Sequence, residues 1–130
     1  MTLELYRVYS GKEFNILTEG TQFIKMLNNE ERHNGMQYKT GLNKDTVPFN
    51  GSGRCSDGGL YFSKLSKCNL YMDHGTIMRL VTIPDDAMVY IEGNKFKADM
   101  IILSERVYLD DEKIFNQNLC LQLIEKYPRW

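Results

Sequence analysis

No stretch of this sequence approaches the roughly 20 consecutive apolar residues of a membrane-spanning helix. No signal peptide is expected at its start. Neither sign of charge dominates: 16 Lys and Arg stand against 17 Asp and Glu. Residues 1–80 carry 10 basic and 8 acidic groups, and residues 81–130 carry 6 and 9. Binding driven by phosphate neutralisation needs a basic excess that neither half supplies. Nucleic acid and membrane are therefore not expected among the partners. Cysteine is scarce: Cys55, Cys68 and Cys120 form an odd set at wide spacings. A secreted disulfide scaffold would carry an even, denser set, so a reducing compartment is expected. No two cysteines have the short spacing of zinc ligands. A site built from Cys55, Cys68, His33 and His74 would need the fold to gather distant residues, and no metal is expected. Walker and Rossmann glycine patterns are missing. Ser63, Ser66 and Ser104 lack the elbow context of a nucleophile for His74.

What is present is an ordinary globular composition. The chain has 130 residues, 42% hydrophobic and 12% aromatic, enough to bury one sizeable core and too apolar for disorder. Leu3–Tyr9 alternates and is rich in strand formers. Phe23, Ile24, Met26 and Leu27 suit a short amphipathic helix, with Thr18 or Thr21 as its cap. Residues 28–59 change character. Six of the ten glycines fall there, with Pro48, and the stretch reads as a long irregular connection. Connections this long in compact domains are uncommon and often functional.

Gly59–Phe62 then reads as a short buried strand. Ser63–Met72 reads as a helix of two to three turns. The second half is more regular. Strands are expected over Thr76–Ile83, Met88–Glu92, Lys95–Leu103 and Arg106–Leu109, separated by the turns Pro84-Asp85-Asp86 and Gly93-Asn94. These turns are too short for helical crossovers, so a mostly antiparallel sheet follows. Asp110 and Asp111 open a terminal helix whose stripe includes Ile114, Phe115, Leu119, Leu123 and Ile124, and Pro128 stops it. The expected fold is α+β: one domain over residues 1–109, with the helix of residues 110–130 packed on it.

The densest feature is Cys55-Ser56-Asp57-Gly58-Gly59-Leu60-Tyr61-Phe62. Paired glycines before a strand let a backbone approach a ligand closely. They equally make a tight turn into a core strand. Gly58-Gly59-Leu60-Tyr61-Phe62-Ser63, followed by Lys64, Ser66-Lys67 and Tyr71, resembles the strand-helix segment beside the nicotinamide pocket of poly-ADP-ribose polymerases. The opening Leu5-Tyr6-Arg7 is similar to the first core strand of ADP-ribosyltransferases, where one branch carries an NAD-contacting Arg. The resemblance implies that Arg7, Gly58, Gly59, Tyr61 and Tyr71 bind an NAD-derived ligand, with Asp99 or Glu105 as the catalytic acid. Where polymerase-type members carry His-Gly on the first strand, this chain reads Arg7-Val8. His74-Gly75 occurs later, in the wrong order. Asp99 and Glu105 also read as solvated charges at strand ends.

A broader likeness covers residues 33–103. Asn34–Asp45, Pro48-Phe49, Cys55-x-x-Gly58-Gly59-Leu60-Tyr61-Phe62, Ile83-Pro84-Asp85-Asp86-Ala87 and Lys95-Phe96-Lys97-Ala98-Asp99 resemble, in the same order, a domain of giant DNA viruses. That domain often precedes ankyrin or other repeats, and relatives occur in phage proteins. The resemblance implies a viral protein in the host cytoplasm or the virion. With one helix after Leu109, a free-standing copy is expected rather than the head of a repeat array.

Two functions follow as expectations. The first is a non-catalytic interaction module, without cofactor, that binds a host or viral protein. Its surface would be the Gly35–Gly59 loop, with Tyr38, Leu42 and Phe49 as contacts. These apolar residues equally serve to pin the loop to the domain. The second is an ADP-ribosyltransferase-like enzyme or binder of an NAD-derived ligand.

Overall fold

The short apolar runs of the chain become strands, and among the described residues every strand pair is antiparallel. A computed structural model describes residues 3–53, 57–70 and 75–108, apart from the side chains of Cys68 and Asn69. In chain order the elements are β1 (Val8–Ser10), α1 (Gly11–Leu17), β2 (Phe23–Leu27), β3 (Arg32–His33), β4 (Met36–Gln37) and β5 (Gly41–Lys44). There follow β6 (Leu60–Lys64), a 3-10 segment (Leu65–Leu70), β7 (Ile77–Thr82), β8 (Met88–Ile91), β9 (Lys95–Ala98), β10 (Met100–Leu103) and β11 (Val107–Tyr108). Strands β3 and β4 form a separate hairpin. The others form one sheet in the order β1-β8-β9-β6-β2-β7-β10-β5, with β11 also paired to β7. This is the expected α+β, mostly antiparallel architecture, although of the two short turns of the second half only Gly93-Asn94 joins strands that pair.

Local structure departs from expectation in the first third. Residues 23–27 form a central strand, not a helix, and all five are buried. The doublets Phe23-Ile24 and Met26-Leu27 fit a helical stripe and a strand covered on both faces equally well. The pairing partners decide, because β2 lies between β6 and β7. The helix falls instead at α1. Ser10 caps it by accepting the Glu13 N–H at 3.1 Å. The opening strand is accordingly shorter than Leu3–Tyr9. The expected helix after Phe62 is a 3-10 segment kinked at Lys67. Tyr71, Met72, His74, Cys55 and the terminal helix lie outside the described residues, as does the side chain of Cys68. Among the described residues no helix is long and apolar enough to cross a membrane.

Helix α1 positions the core. Phe14, fully buried, drops onto the sheet against Phe23, Phe62 and Phe96, with ring centroids 5.1, 6.0 and 5.7 Å away. The edge-to-face geometry of most of these pairs suits the ring quadrupoles and adds to the apolar burial. The helix start is tied to the turn before β8. Gly11 N donates to Ala87 O (2.7 Å) and Lys12 N to Asp85 O (3.0 Å). A Cβ at Gly11 would run into the Pro84 carbonyl. Gly11→Ala therefore has to separate α1 from this turn. We expect it to destabilise the fold by about 2 kcal/mol or more, measured as a lowered urea midpoint. An unchanged midpoint would mean the contact is easily relaxed.

Candidate functional site

The 28–59 connection is more ordered than its composition suggests. Asn34 and Gly35 both have positive φ (52° and 79°) and join β3 to β4 through a two-residue turn of the type that Asn-Gly favours. Beyond β5 the chain folds back on itself. Asp45 accepts the Gly59 N–H at 2.8 Å and the Val47 N–H at 3.2 Å, and Asn50 N donates to Gly58 O at 2.8 Å. Gly58 (φ 90°) lies so close to Pro48 and Asn50, and Gly59 to the stem of Lys97, that neither position has room for a side chain. The paired glycines are thus required by close packing.

Hairpin and loop enclose a cleft of about 110 Å³, lined by His33, Met36, Tyr38, Asp45, Asp57 and the Gly58–Tyr61 backbone among others. Beneath its wall lies Lys25 of β2. Its Nζ donates to Tyr61 O at 2.6 Å, lies 3.5 Å from His33 Nδ1, and sits 4.7 Å above the Tyr38 ring. Burial, reinforced by the nearby Lys95 charge, lowers the Lys25 pKa to about 7. Burial and the Asp45 carboxylate push the Tyr38 hydroxyl well above its ordinary value. Lys95 Nζ lies 4.4 Å from the Tyr61 ring centroid. The buried Lys97 holds its ammonium 5.7 Å from the Tyr61 ring and 5.6 Å from the Tyr90 ring. The aromatic faces here are already engaged by cations of the chain itself.

Under the hairpin, Glu31 accepts from two arginines. Arg79 of β7, fully buried, reaches it with Nε at 2.6 Å and Nη2 at 3.1 Å, and Arg106 with Nε at 2.5 Å. Arg79 Nη1 also donates to Thr40 Oγ1 (2.6 Å) and Ser104 O (2.8 Å). Burial raises the Glu31 pKa, but the hydrogen bonds and charges of Arg79 and Arg106 outweigh it and hold the carboxyl below its usual range. Glu31 itself has positive φ (52°), a strained conformation that the network secures.

Of the residues expected to form sites, Gly58, Gly59, Tyr61 and Tyr38 meet in this one cleft. Arg7 does not join them. It lies beside the far edge strand, three inter-strand steps from β6 or roughly 14 Å, paired with Glu4 (3.4 Å) and Glu13 (3.9 Å). Asp99 is the joint between β9 and β10, and its carboxylate accepts the Met88 N–H at 2.8 Å. Glu105 is exposed in the turn before β11. Tyr38 is buried and Phe49 half-buried, whereas Leu42 is 50% exposed. Leu42 stands directly opposite Ile102, also exposed, on the edge strand β5 and its neighbour β10. Among the described residues no group of three or more His, Cys, Asp and Glu is placed to hold a metal. Sequence reasoning missed Lys25, Glu31 and Arg79. The Asn34-Gly35 pair, a hairpin-turn signal that the reading of residues 28–59 as an irregular connection passed over, marks the hairpin beside them.

Relatives of this chain occur in Acanthamoeba polyphaga mimivirus. "Uncharacterized protein R869" is 37% identical over 95 residues, covering 68% of this chain and 69% of that protein. The chain belongs to this mimivirus protein family. Two further relatives are "Putative ankyrin repeat protein R868", 33% identical over 98 residues, and "Putative ankyrin repeat protein R896", 29% identical over 119. These matches cover 70% and 87% of this chain. The chain spans about half of the first (49%) and about a third of the second (36%). No family model matches the chain. No solved structure matches it either.

The buried charges give stability a defined pH dependence. Glu31 titrates lower folded than unfolded, so its contribution is complete above the ordinary carboxylate range and is lost as pH falls through the folded value. Glu31→Gln should cost about 3 kcal/mol at pH 7, and chemical denaturation should show that gap closing in acid. Lys25 also titrates lower folded than unfolded. Its contribution is complete above the ordinary lysine value of 10.5 and is lost as pH falls to about 7. Lys25→Met should therefore flatten the rise in stability between those limits. A variant with the parent's slope would place the titration elsewhere.

Proposed function

We propose that this chain is a non-catalytic interaction module of a giant-virus protein, acting in the host cytoplasm or the virion, that binds a host or viral protein. The observation that carries the reading is the exposed cross-strand pair Leu42–Ile102 at the β5 edge of the sheet. Edge strands with apolar side chains are surfaces that proteins normally cover or charge. Val47, 47% exposed just beyond β5, adds to the apolar content of this region. Tyr38 and Phe49 serve the module from within, by holding the loop. The relatives named as ankyrin repeat proteins support an interaction role, because repeat stacks work chiefly as extended binding surfaces. The module needs no cofactor.

The alternative, an ADP-ribosyltransferase-like enzyme or binder of an NAD-derived ligand, draws support from Gly58, Gly59 and Tyr61 lining one cleft. It has less behind it. Arg7 is remote, Lys95 covers the Tyr61 ring, and the Asp99 carboxylate is committed to the Met88 backbone. Calorimetry with NAD separates the readings, since a stoichiometric heat would favour the enzyme.

The interaction reading is tested with the Leu42→Asp/Ile102→Asp double variant. A protein captured from mimivirus-infected cells, then purified, should bind the parent chain at least about tenfold more tightly than the variant, a difference of ~1.4 kcal/mol. The variant's melting temperature should stay within a few degrees of the parent's. Equal binding by both, or no protein captured by the parent, would sink the proposal.

A further inference from the structure

At the opposite end of the sheet from β5, a cavity of about 300 Å³ opens between the N-terminal arm, the end of α1 and the β8–β9 turn. Leu3, Leu5, Leu17, Ile91 and Phe96 supply the apolar part of a lining that is polar elsewhere. Ile91 and Phe96 belong to the buried core, so the cavity reaches the core itself. A cavity of roughly 150 Å³ already takes up benzene when its walls are apolar. Leu5 is 56% exposed and stands over the turn, where a Cβ on Gly93 would touch it. Three polar side chains complete the lining: Thr18, Thr21 and Lys64. The Thr18 hydroxyl is committed as a donor to Phe14 O at 2.7 Å. The side chains of Thr21 and Lys64 have no hydrogen-bond or ion-pair partner among the described residues. Most other cations near the sheet are paired: Arg79 and Arg106 with Glu31, Arg7 with Glu4, and Lys25 with the Tyr61 carbonyl.

A cavity with five apolar side chains on its lining and, beside them, one ammonium and one hydroxyl without a protein partner among the described residues matches a particular ligand chemistry. We propose that this cavity binds a small amphiphilic carboxylate, a medium-chain aliphatic acid. Its chain lies along Leu3, Leu5, Leu17, Ile91 and Phe96, and its carboxylate meets Lys64 and the Thr21 O–H. Among the described residues no carboxylate lines the cavity, so none of them repels an anion there. A cationic amphiphile meets the Lys64 ammonium and is excluded. The site is independent of the β5 edge and stands or falls separately from the interaction reading.

Calorimetric titration with octanoate, octanol and octylammonium tests the proposal, with methyl resonances of Leu17 and Ile91 followed in parallel. Octanoate should bind and shift both sets of methyls, octanol more weakly, and octylammonium not at all. Hexanoate should bind about tenfold more weakly than octanoate, from two lost methylenes. Lys64→Met should weaken octanoate about tenfold, as loss of a charge-assisted contact does, while Lys64→Arg keeps it. Should Lys64→Met fail to fold, Thr21→Val gives a second reading, with weaker octanoate binding and unchanged octanol binding. Octylammonium binding as well as octanoate, an unaffected Lys64→Met or Thr21→Val, or no methyl shift at millimolar octanoate would overturn the assignment.

Discussion

The grip of Arg79 on Glu31 is the contact around which the loop-bearing half of the molecule is arranged. Arg79 stands on β7, beside the central strand β2, and is fully buried. A buried guanidinium demands partners for its donors. The chain supplies them from three separate places: Glu31 before the small hairpin, Thr40 before β5, and Ser104 after β10. One side chain therefore fixes where the hairpin sits and where β5 begins. It also fixes where the chain turns after β10. Glu31 adds a backbone role, since Tyr38 N donates to its carbonyl at 2.9 Å. That bond holds the returning strand of the hairpin against the residue the arginine has already located.

The second theme is the use of tyrosine faces to hold lysines. Lys25, Lys95 and Lys97 all lie near Tyr38, Tyr61 or Tyr90. A buried ammonium is costly, and the ring quadrupole, a carbonyl or a nearby carboxylate offsets part of that cost. Glu92, Asp57 and Asp45 act in this way on Lys97, against the effect of burial. Charge inside the sheet is thus balanced locally and by different means at each position. Tyr61, expected to bind an NAD-derived ligand, and Tyr38, expected to contact a partner, are both engaged by the chain's own cations.

The second half of the chain was legible because its apolar runs are short and are punctuated by Pro84 and Gly93-Asn94. Gly93-Asn94 joins two strands that pair, β8 and β9, whereas β7 and β8, across Pro84-Asp85-Asp86, pair with other strands. Residues 23–27 misled because a strand buried on both faces lacks the alternation that distinguishes strand from helix. What settles such a segment is its neighbours, β6 and β7, which are distant in sequence. The cleft was half legible. The paired glycines and Tyr61 stood out as a local motif, and Tyr38 as an apolar residue in a long connection. Lys25, Glu31 and Arg79 carry no local signal. A charged residue within an apolar strand reads as a solvent-facing position until the partner that buries it is known.

The strand order also governs how the chain assembles as it is made. The surface that receives Phe14 is built from Phe23, Phe62 and Phe96, and the strand that pairs with β1 is β8. Helix α1 is synthesised before every strand that receives it, and its seat is incomplete until β9 has been made. Non-local closure of this kind slows folding. Through that interval Phe14 and its helix must be shielded by something other than the sheet they will cover.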